Sequence, residues 1–256
     1  MSEVLLDHPA PHVARLTINR PEARNALNQE VRSQLAGHFA SLGSGTDIRA
    51  IVLTGGDKYF AAGADLRAMV DAGAIEIMLR NTHLLWRTIA TCPKPVIAAV
   101  NGFAWGGGCE LAMHADIIVA GEGASFCQPE VKVGIMPGAG GTQRLARAVG
   151  KFQAMKMALT GQPLSARDAF TCGLASELVA DDQVQGRALE LAGQIAALPP
   201  LAVMQIKEVL LAGQDASLDT ALMLERKAFQ LLFASRDQKE GMQAFFAKRQ
   251  ADFQGI

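Results

Sequence analysis

Glu110 is a carboxylate beside a glycine-rich turn whose backbone could form an oxyanion hole. Glu110 follows the three glycines at 106–108 and Cys109. The apolar run at 95–100 predicts a buried strand before the glycines, and residues 109–114 are compatible with a helix after them. A helix that starts at such a turn presents unpaired N–H groups, which favour a negatively charged oxygen. The alternative is tight strand–helix packing with an ordinary glutamate in the first helical turn.

A second segment of small residues, 59–66, follows the predicted buried strand at 50–54. Its backbone amides are candidates for the same anion-binding role, although Asp65 in this segment could simply cap a helix. The glycine-rich loop at 134–142 leads into a third helix. This loop has neither the glycine spacing of a dinucleotide site nor the Gly-Lys-Ser/Thr of a phosphate loop.

The remaining pattern predicts strands that alternate with helices, which indicates a βαβ-type core. Further strands are expected at 13–19, 117–120 and 176–179. Helices are expected from a cap at Asn28 to about residue 41, and at 74–90, 143–149, 152–160, 165–172, 181–197, 200–212, 217–234 and 236–250.

Composition limits the function classes. The chain has 256 residues and a net charge of −1, so nucleic acid is not expected as the main partner. We expect no membrane span and no secretory signal, and hence a cytoplasmic location. The four cysteines and five histidines lack metal-site spacing. Cys109 at a helix start is the one cysteine whose position could favour a thiolate, but no histidine is placed by sequence to activate it.

Four motifs occur together in a fixed order. They are FAAGAD at 60–65, NGFAWGGGCE at 101–110, QPE at 128–130 and PGAGGTQRL at 137–145. The combination resembles the crotonase (enoyl-CoA hydratase/isomerase) family, from about Leu5 to the end of the chain. The resemblance implies an α/β fold, a spiral of ββα repeats followed by a helical trimerisation region. We therefore expect a core at 1–199 with the active site, and a helical oligomerisation region at 200–256 that forms trimers or dimers of trimers.

The resemblance also implies the site. An acyl-CoA thioester would be held in an oxyanion hole formed by the backbone N–H groups of Ala62 and Gly107. Glu110 would activate water and Glu130 would exchange a proton at C2. Phe245 and Lys248 would reach the CoA of a neighbouring subunit. The other expected substrate-binding residues are Ala23, Arg24, Ala26, Ala61, Gly63, Ala64, Asp65, Leu66, Trp105, Gly106, Pro129, Pro137 and Gly138.

The expected reaction is hydration of the C2=C3 bond of a 2-enoyl-CoA, without a metal or redox cofactor. The alternatives are a Δ3-Δ2-enoyl-CoA isomerase on the same site and a non-catalytic, RNA-associated protein. Trp105 would line the acyl pocket or fill the core. One expected substrate is 2,3-dehydroadipyl-CoA of phenylacetate degradation, whose distal carboxylate would need a cation; a short-chain crotonyl-type substrate is equally open. The candidate cations are Arg67, Arg80, His83 and Arg87.

Overall fold

Two β-sheets form the framework of the fold. The computed structural model describes residues 2–256. Its strands are β1 (Val4–Ala10), β2 (Val13–Ile18), β3 (Ala50–Thr54), β4 (Val96–Val100), β5 (Phe103–Trp105), β6 (Ile117–Gly121), β7 (Ser125–Cys127), β8 (Leu164–Ser165) and β9 (Glu177–Val179). The larger sheet has the order β1-β2-β3-β4-β6-β9, and the smaller has the order β5-β7-β8.

The larger sheet is parallel except at its first strand, since β1 alone runs antiparallel to its neighbour β2. Strands β3 and β4 are buried along their whole length, as their continuous apolar sequences predict. Strand β1 was not predicted from sequence because it is an edge strand whose side chains are mostly exposed, so it has no apolar periodicity.

Helices cover both faces of this sheet. They are α1 (Gln29–Ser44), α2 (Ala74–Leu79), α3 (Thr82–Ala90), α4 (Gly107–Ala112), α5 (Gly141–Thr160), α6 (Ala166–Thr171), α7 (Val184–Ala196), α8 (Pro200–Gly213), α9 (Leu218–Leu232) and α10 (Arg236–Ala247). Helix α1 is capped by Asn28 as predicted, because the Asn28 side chain accepts a hydrogen bond from the Val31 N–H at 2.8 Å.

Two local predictions are wrong. The helix expected at 74–90 is broken between α2 and α3 at Asn81, which has a φ of 47°. A short 3₁₀ turn, Leu66–Ala68, replaces the helix expected after Asp65. The two helices expected at 143–149 and 152–160 are confirmed, because α5 is interrupted between them at Gly150, whose backbone angles (φ 76°, ψ 164°) are not helical.

The core is divided by the sheet because successive strand residues point to opposite faces. On strand β2, Val13 packs in the cluster under α7, whereas Ala14 and Leu16 pack in the larger cluster with α1. Helices α8 and α9 have no buried residues, and large apolar side chains such as Phe229 are exposed on this part of the chain. Lys207 of α8 anchors it to the core through Asp116, at 2.6 Å.

Among residues 2–256, no single helix has the length and apolar character needed to cross a bilayer. The segments Asp181–Ala196 and Pro200–Gly213, bent by 110°, pass that test only when taken together.

Candidate active site

Backbone pairing brings the two small-residue segments side by side. The Ala61 N–H donates to the Phe103 carbonyl at 2.9 Å, and the Trp105 N–H donates to the Ala61 carbonyl at 3.0 Å. Residues 103–105 also pair with β7 and form strand β5, which was not predicted because it lies inside a motif that reads as a turn. Gly108 follows at a point of close approach, since a Cβ there would lie 2.1 Å from the Ala61 oxygen.

Two neighbouring N–H groups on these segments are free. Leu27 pairs with the Gly63 carbonyl and the Asp65 N–H, so the Ala64 N–H between them points away from Leu27. Gly107 opens α4, where first-turn N–H groups have no helical acceptor. Neither N–H has an acceptor within residues 2–256, and a Cβ on Gly107 would lie 3.5 Å from the Ala64 nitrogen.

The structure corrects the assignment of Ala62 as an oxyanion-hole donor. Its N–H already donates to the Arg24 carbonyl at 3.0 Å, so it is not available to a thioester oxygen. Two residues later, Ala64 provides the free N–H beside Gly107. The Ala62 bond instead joins the turn at residues 20–26 to the segment that carries Ala64.

Gly106 allows Glu130 to approach this pair of N–H groups. Its backbone angles, φ 50° and ψ −124°, lie in a region that favours glycine. A Cβ at this position would lie only 2.8 Å from Oε1 of Glu130. An alanine at 106 would therefore be strained and would displace the carboxyl group.

The glycine-rich loop before α5 holds the carboxylate of Glu110. Glu110 is 3% exposed, and its Oε1 accepts hydrogen bonds from the Ala139 N–H at 2.7 Å and the Gly141 N–H at 2.8 Å. Burial raises the pKa of Glu110, while the two N–H donors and the charge of Arg32 lower it. The backbone N–H groups of this loop thus bind a carboxylate of the protein itself.

Glu130 occupies a different environment. It begins a 3₁₀ turn and is partly buried, and its Oε2 has no hydrogen-bond partner within residues 2–256. Burial raises the pKa of Glu130 to about 7, opposed by its own backbone N–H and increased further by the charge of Glu110. Hydrogen bonds to a carboxylate favour its charged form. Glu110 is therefore the glutamate that is better suited to be ionised, and Glu130 is the one that is better suited to hold a proton.

Gln128 is a site neighbour whose environment the sequence did not reveal. It is completely buried, and neither polar atom of its amide has a partner within residues 2–256. Its Nε2 would lie 2.9 Å from a Cβ on Gly141, whose N–H binds Glu110. The only sequence signal was its place in the QPE motif.

Comparisons with known proteins agree with this arrangement. A profile of the enoyl-CoA hydratase/isomerase family matches residues 10–255. The chain belongs to this family, the crotonases. The prediction that it is an enzyme of this family, with the crotonase fold, is confirmed.

Individual relatives match over most or all of their length. The 2,3-dehydroadipyl-CoA hydratase of Escherichia coli is 44% identical over 255 residues, which cover 100% of both chains. The mitochondrial enoyl-CoA hydratase of Pongo abelii is 44% identical, covering 94% of this chain and 83% of that protein. The crystal structure of the enoyl-CoA hydratase from Bacillus anthracis has a TM-score of 0.95 at 34% identity, and the match covers 99% of this chain and 100% of the other.

The turn that carries the predicted substrate contacts Ala23, Arg24 and Ala26 of this crotonase lies beside residues 60–66. Ala23 ends a 3₁₀ turn, and Arg24 has a φ of 51°. The Asn25 side chain fixes the turn by donating to the Gly55 and Tyr59 carbonyls, both at 2.8 Å. Arg20 donates to the Ala26 carbonyl at 2.6 Å. The turn and residues 60–66 are thus one connected unit.

Other predicted substrate contacts lie outside the unit formed by the turn and residues 60–66. Trp105 is partly exposed, and its indole N–H donates to the Ser125 hydroxyl at 3.0 Å. Pro137 packs beside Gly141, whereas Gly138 faces open space. Phe245 is 79% exposed on α10, and no hydrogen bond within residues 2–256 joins α10 to the site loops.

Cys109 is excluded as a nucleophile by its surroundings. It is 0% exposed, and burial raises the pKa of its thiol far above the ordinary value.

Within residues 2–256, no cluster of three His, Cys, Asp or Glu side chains could hold a metal ion.

His114 connects the stability of the site to pH. Its Nδ1 lies 2.7 Å from the Glu110 carbonyl, and burial lowers the pKa of His114 from 6.5 to about 4. As the pH falls, His114 therefore takes up its proton at a higher pH in the unfolded chain than in the folded one. The contribution of His114 to the free energy of unfolding is highest above pH 6.5 and decreases as the pH falls toward 4. From this group alone, we expect the free energy of unfolding to change by about 1.4 kcal/mol per pH unit in this range.

Urea unfolding between pH 4 and 7 tests this linkage. The His114→Gln protein should lose that component of the pH dependence, whereas His83→Gln, which changes an exposed histidine, should retain it. Equal slopes for the His114→Gln protein and the unmodified protein would show that His114 does not contribute.

Proposed function

We propose that the protein is a hydratase that adds water across the C2=C3 bond of a 2-enoyl-CoA thioester. The observation that supports this most strongly is the combination of two free N–H groups, at Ala64 and Gly107, with two carboxyl groups of unequal proton affinity. The names of the relatives agree with this reaction.

The two N–H groups bind the thioester oxygen. As a nucleophile adds at C3, negative charge moves through C2 and the carbonyl carbon onto that oxygen. Donors already fixed by the Ala61 pairing and the start of α4 need no reorganisation at this step. Each such donor contributes about 3–4 kcal/mol to transition-state stabilisation in comparable oxyanion holes.

The two glutamates move the protons. Glu110, whose carboxylate is fixed by Ala139 and Gly141, removes a proton from water as the water oxygen bonds to C3. Glu130, with its raised pKa, delivers its proton to C2. The product is a 3-hydroxyacyl-CoA, and one proton returns from Glu110 to Glu130 to complete the cycle. Neither step requires a metal or a redox cofactor.

The absorbance of the conjugated thioester tests the reaction. A hydratase should decrease the absorbance of crotonyl-CoA. An isomerase would instead produce this absorbance from a 3-enoyl-CoA, and it would do so faster than it hydrates crotonyl-CoA. Faster conversion of 3-enoyl-CoA would establish the isomerase, and salt-sensitive RNA binding without turnover of either thioester would establish the non-catalytic alternative.

The rate should fall as the pH rises through about 7. Since Glu130 acts as the acid, it must be protonated, and its pKa of about 7 sets the upper limb of the profile. We expect log kcat/KM for crotonyl-CoA to fall with a slope approaching −1 above that pH. Glu122→Gln, which changes an exposed carboxylate, should leave the limb in place. A flat profile from pH 6 to 9 would contradict the role of Glu130.

We further propose a cytoplasmic homotrimer or dimer of trimers. Exposed aromatic side chains on the C-terminal helices, including Phe229 and Phe246, support a subunit interface. The CoA adenine would lie near Ala23, Arg24 and Ala26, and Phe245 and Lys248 would contact the CoA of a neighbour. Light scattering of the purified protein measures the subunit number, and a monomeric mass would contradict this assembly.

A further inference from the structure

Arg32 on α1 is a charged residue that the mechanism does not use. Its Nε is buried and has no hydrogen-bond partner, and none of its nitrogens lies within 4.0 Å of a carboxylate oxygen within residues 2–256. It follows Val31, which is completely buried in the core, so its side chain starts at the edge of the interior.

The position of α1 places Arg32 near the acyl end of the site. The Leu27 N–H, just before the helix, donates to the Gly63 carbonyl at 2.7 Å, and Leu27 Cδ1 would lie 3.5 Å from a Cβ on Gly107. Arg32 lies in the first turn of α1, four residues after its cap at Asn28, which is about 6 Å along the helix axis. The Arg32 side chain therefore starts about one helical turn from the segment that contacts Gly63 and Gly107.

The charged groups around Arg32 already have other partners. Burial lowers the pKa of its guanidinium, the charges of Glu110 and Asp65 oppose this effect, and Arg80 adds to it. Of these groups, Asp65 pairs with Arg20 at 3.5 Å, and Arg80 pairs with Glu76 at 2.6 Å. Oε1 of Glu110 accepts two backbone N–H groups. Arg32 is thus a partly buried cation without its own counter-ion.

A buried cation without a partner is unfavourable, and a ligand carboxylate would offset this cost. We propose that Arg32 binds the terminal carboxylate of a dicarboxylic 2-enoyl-CoA, a substrate with a second acid group at the far end of its acyl chain. This assignment rests on the proposed hydratase function and extends it to a substrate class.

The cations expected from sequence fit this role less well. Arg67, His83 and Arg87 are exposed, and Arg80 is held by Glu76. Arg32 was missed because in the sequence it is only a polar position on an amphipathic helix.

The test compares two saturated inhibitors of equal chain length, adipyl-CoA and hexanoyl-CoA, which differ only in the terminal carboxylate. Crotonyl-CoA hydration is the reporter reaction. The unmodified protein should bind adipyl-CoA at least about 10-fold more tightly, as expected for a charge-assisted hydrogen bond. Arg32→Gln should reduce this preference by about 10- to 100-fold, and Arg32→Lys should restore part of it. Arg167→Gln, at an exposed site, should keep the preference.

The outcomes separate the two claims. If the unmodified protein does not hydrate crotonyl-CoA or any other 2-enoyl-CoA, the proposed function fails. If it hydrates them but shows no preference for adipyl-CoA, or if Arg32→Gln weakens both inhibitors equally, the assignment of Arg32 is overturned and the hydratase remains.

Discussion

Replacing Glu110 with glutamine is expected to lower kcat for crotonyl-CoA hydration by about 10²- to 10⁴-fold, the usual contribution of a positioned general base. The glutamine oxygen can still accept the N–H groups of Ala139 and Gly141, so the loop geometry is preserved. What is lost is the ability to take a proton from water. Stopped-flow or steady-state absorbance measurements at saturating substrate give the rate.

A matched substitution guards against an unspecific effect. Glu190→Gln changes an exposed carboxylate that forms an ion pair with Arg187 three residues away on the same helix, and it should leave kcat unchanged. If the Glu110→Gln protein hydrates crotonyl-CoA at the unmodified rate, Glu110 is not the base.

Replacing Gly107 with proline should remove one oxyanion-hole donor and lower kcat by about 10²- to 10³-fold. Gly107 is the first residue of α4, a position where proline is tolerated because that N–H has no helical acceptor. Thermal melting and circular dichroism establish whether the variant is folded.

Gly107→Ala is the companion variant. It keeps the N–H and adds a methyl group at ordinary contact distance, 3.5 Å from the Ala64 nitrogen and from Leu27 Cδ1. It should therefore lose less activity than Gly107→Pro. A folded proline variant with nearly full activity would show that the Gly107 N–H does not bind the thioester.

The sequence was informative where function depends on local composition. Glu110 stands out because it follows a glycine-rich turn, and the strand at β3 is evident because it is buried on both faces. The cap of α1 at Asn28 is likewise a local signal. These features are decided by residues adjacent in the chain. Glu130 was assigned through the resemblance to the crotonase family.

The sequence was less informative where distant segments decide. Ala62 and Ala64 belong to one motif, and only the pairing of Ala62 with Arg24 and of Leu27 with Gly63 determines which N–H remains free. The lack of a counter-ion at Arg32 is also a tertiary property. Strand β5 likewise depends on a distant segment, since it pairs with β7.

A crystal structure of the protein with bound 3-hydroxybutyryl-CoA tests the central claim most directly. We expect the thioester oxygen about 2.7–3.1 Å from the nitrogens of Ala64 and Gly107. We also expect the carboxyl groups of Glu110 and Glu130 to face C3 and C2 of the acyl group. A thioester oxygen bound elsewhere, or glutamate side chains directed away from the acyl carbons, would contradict the account.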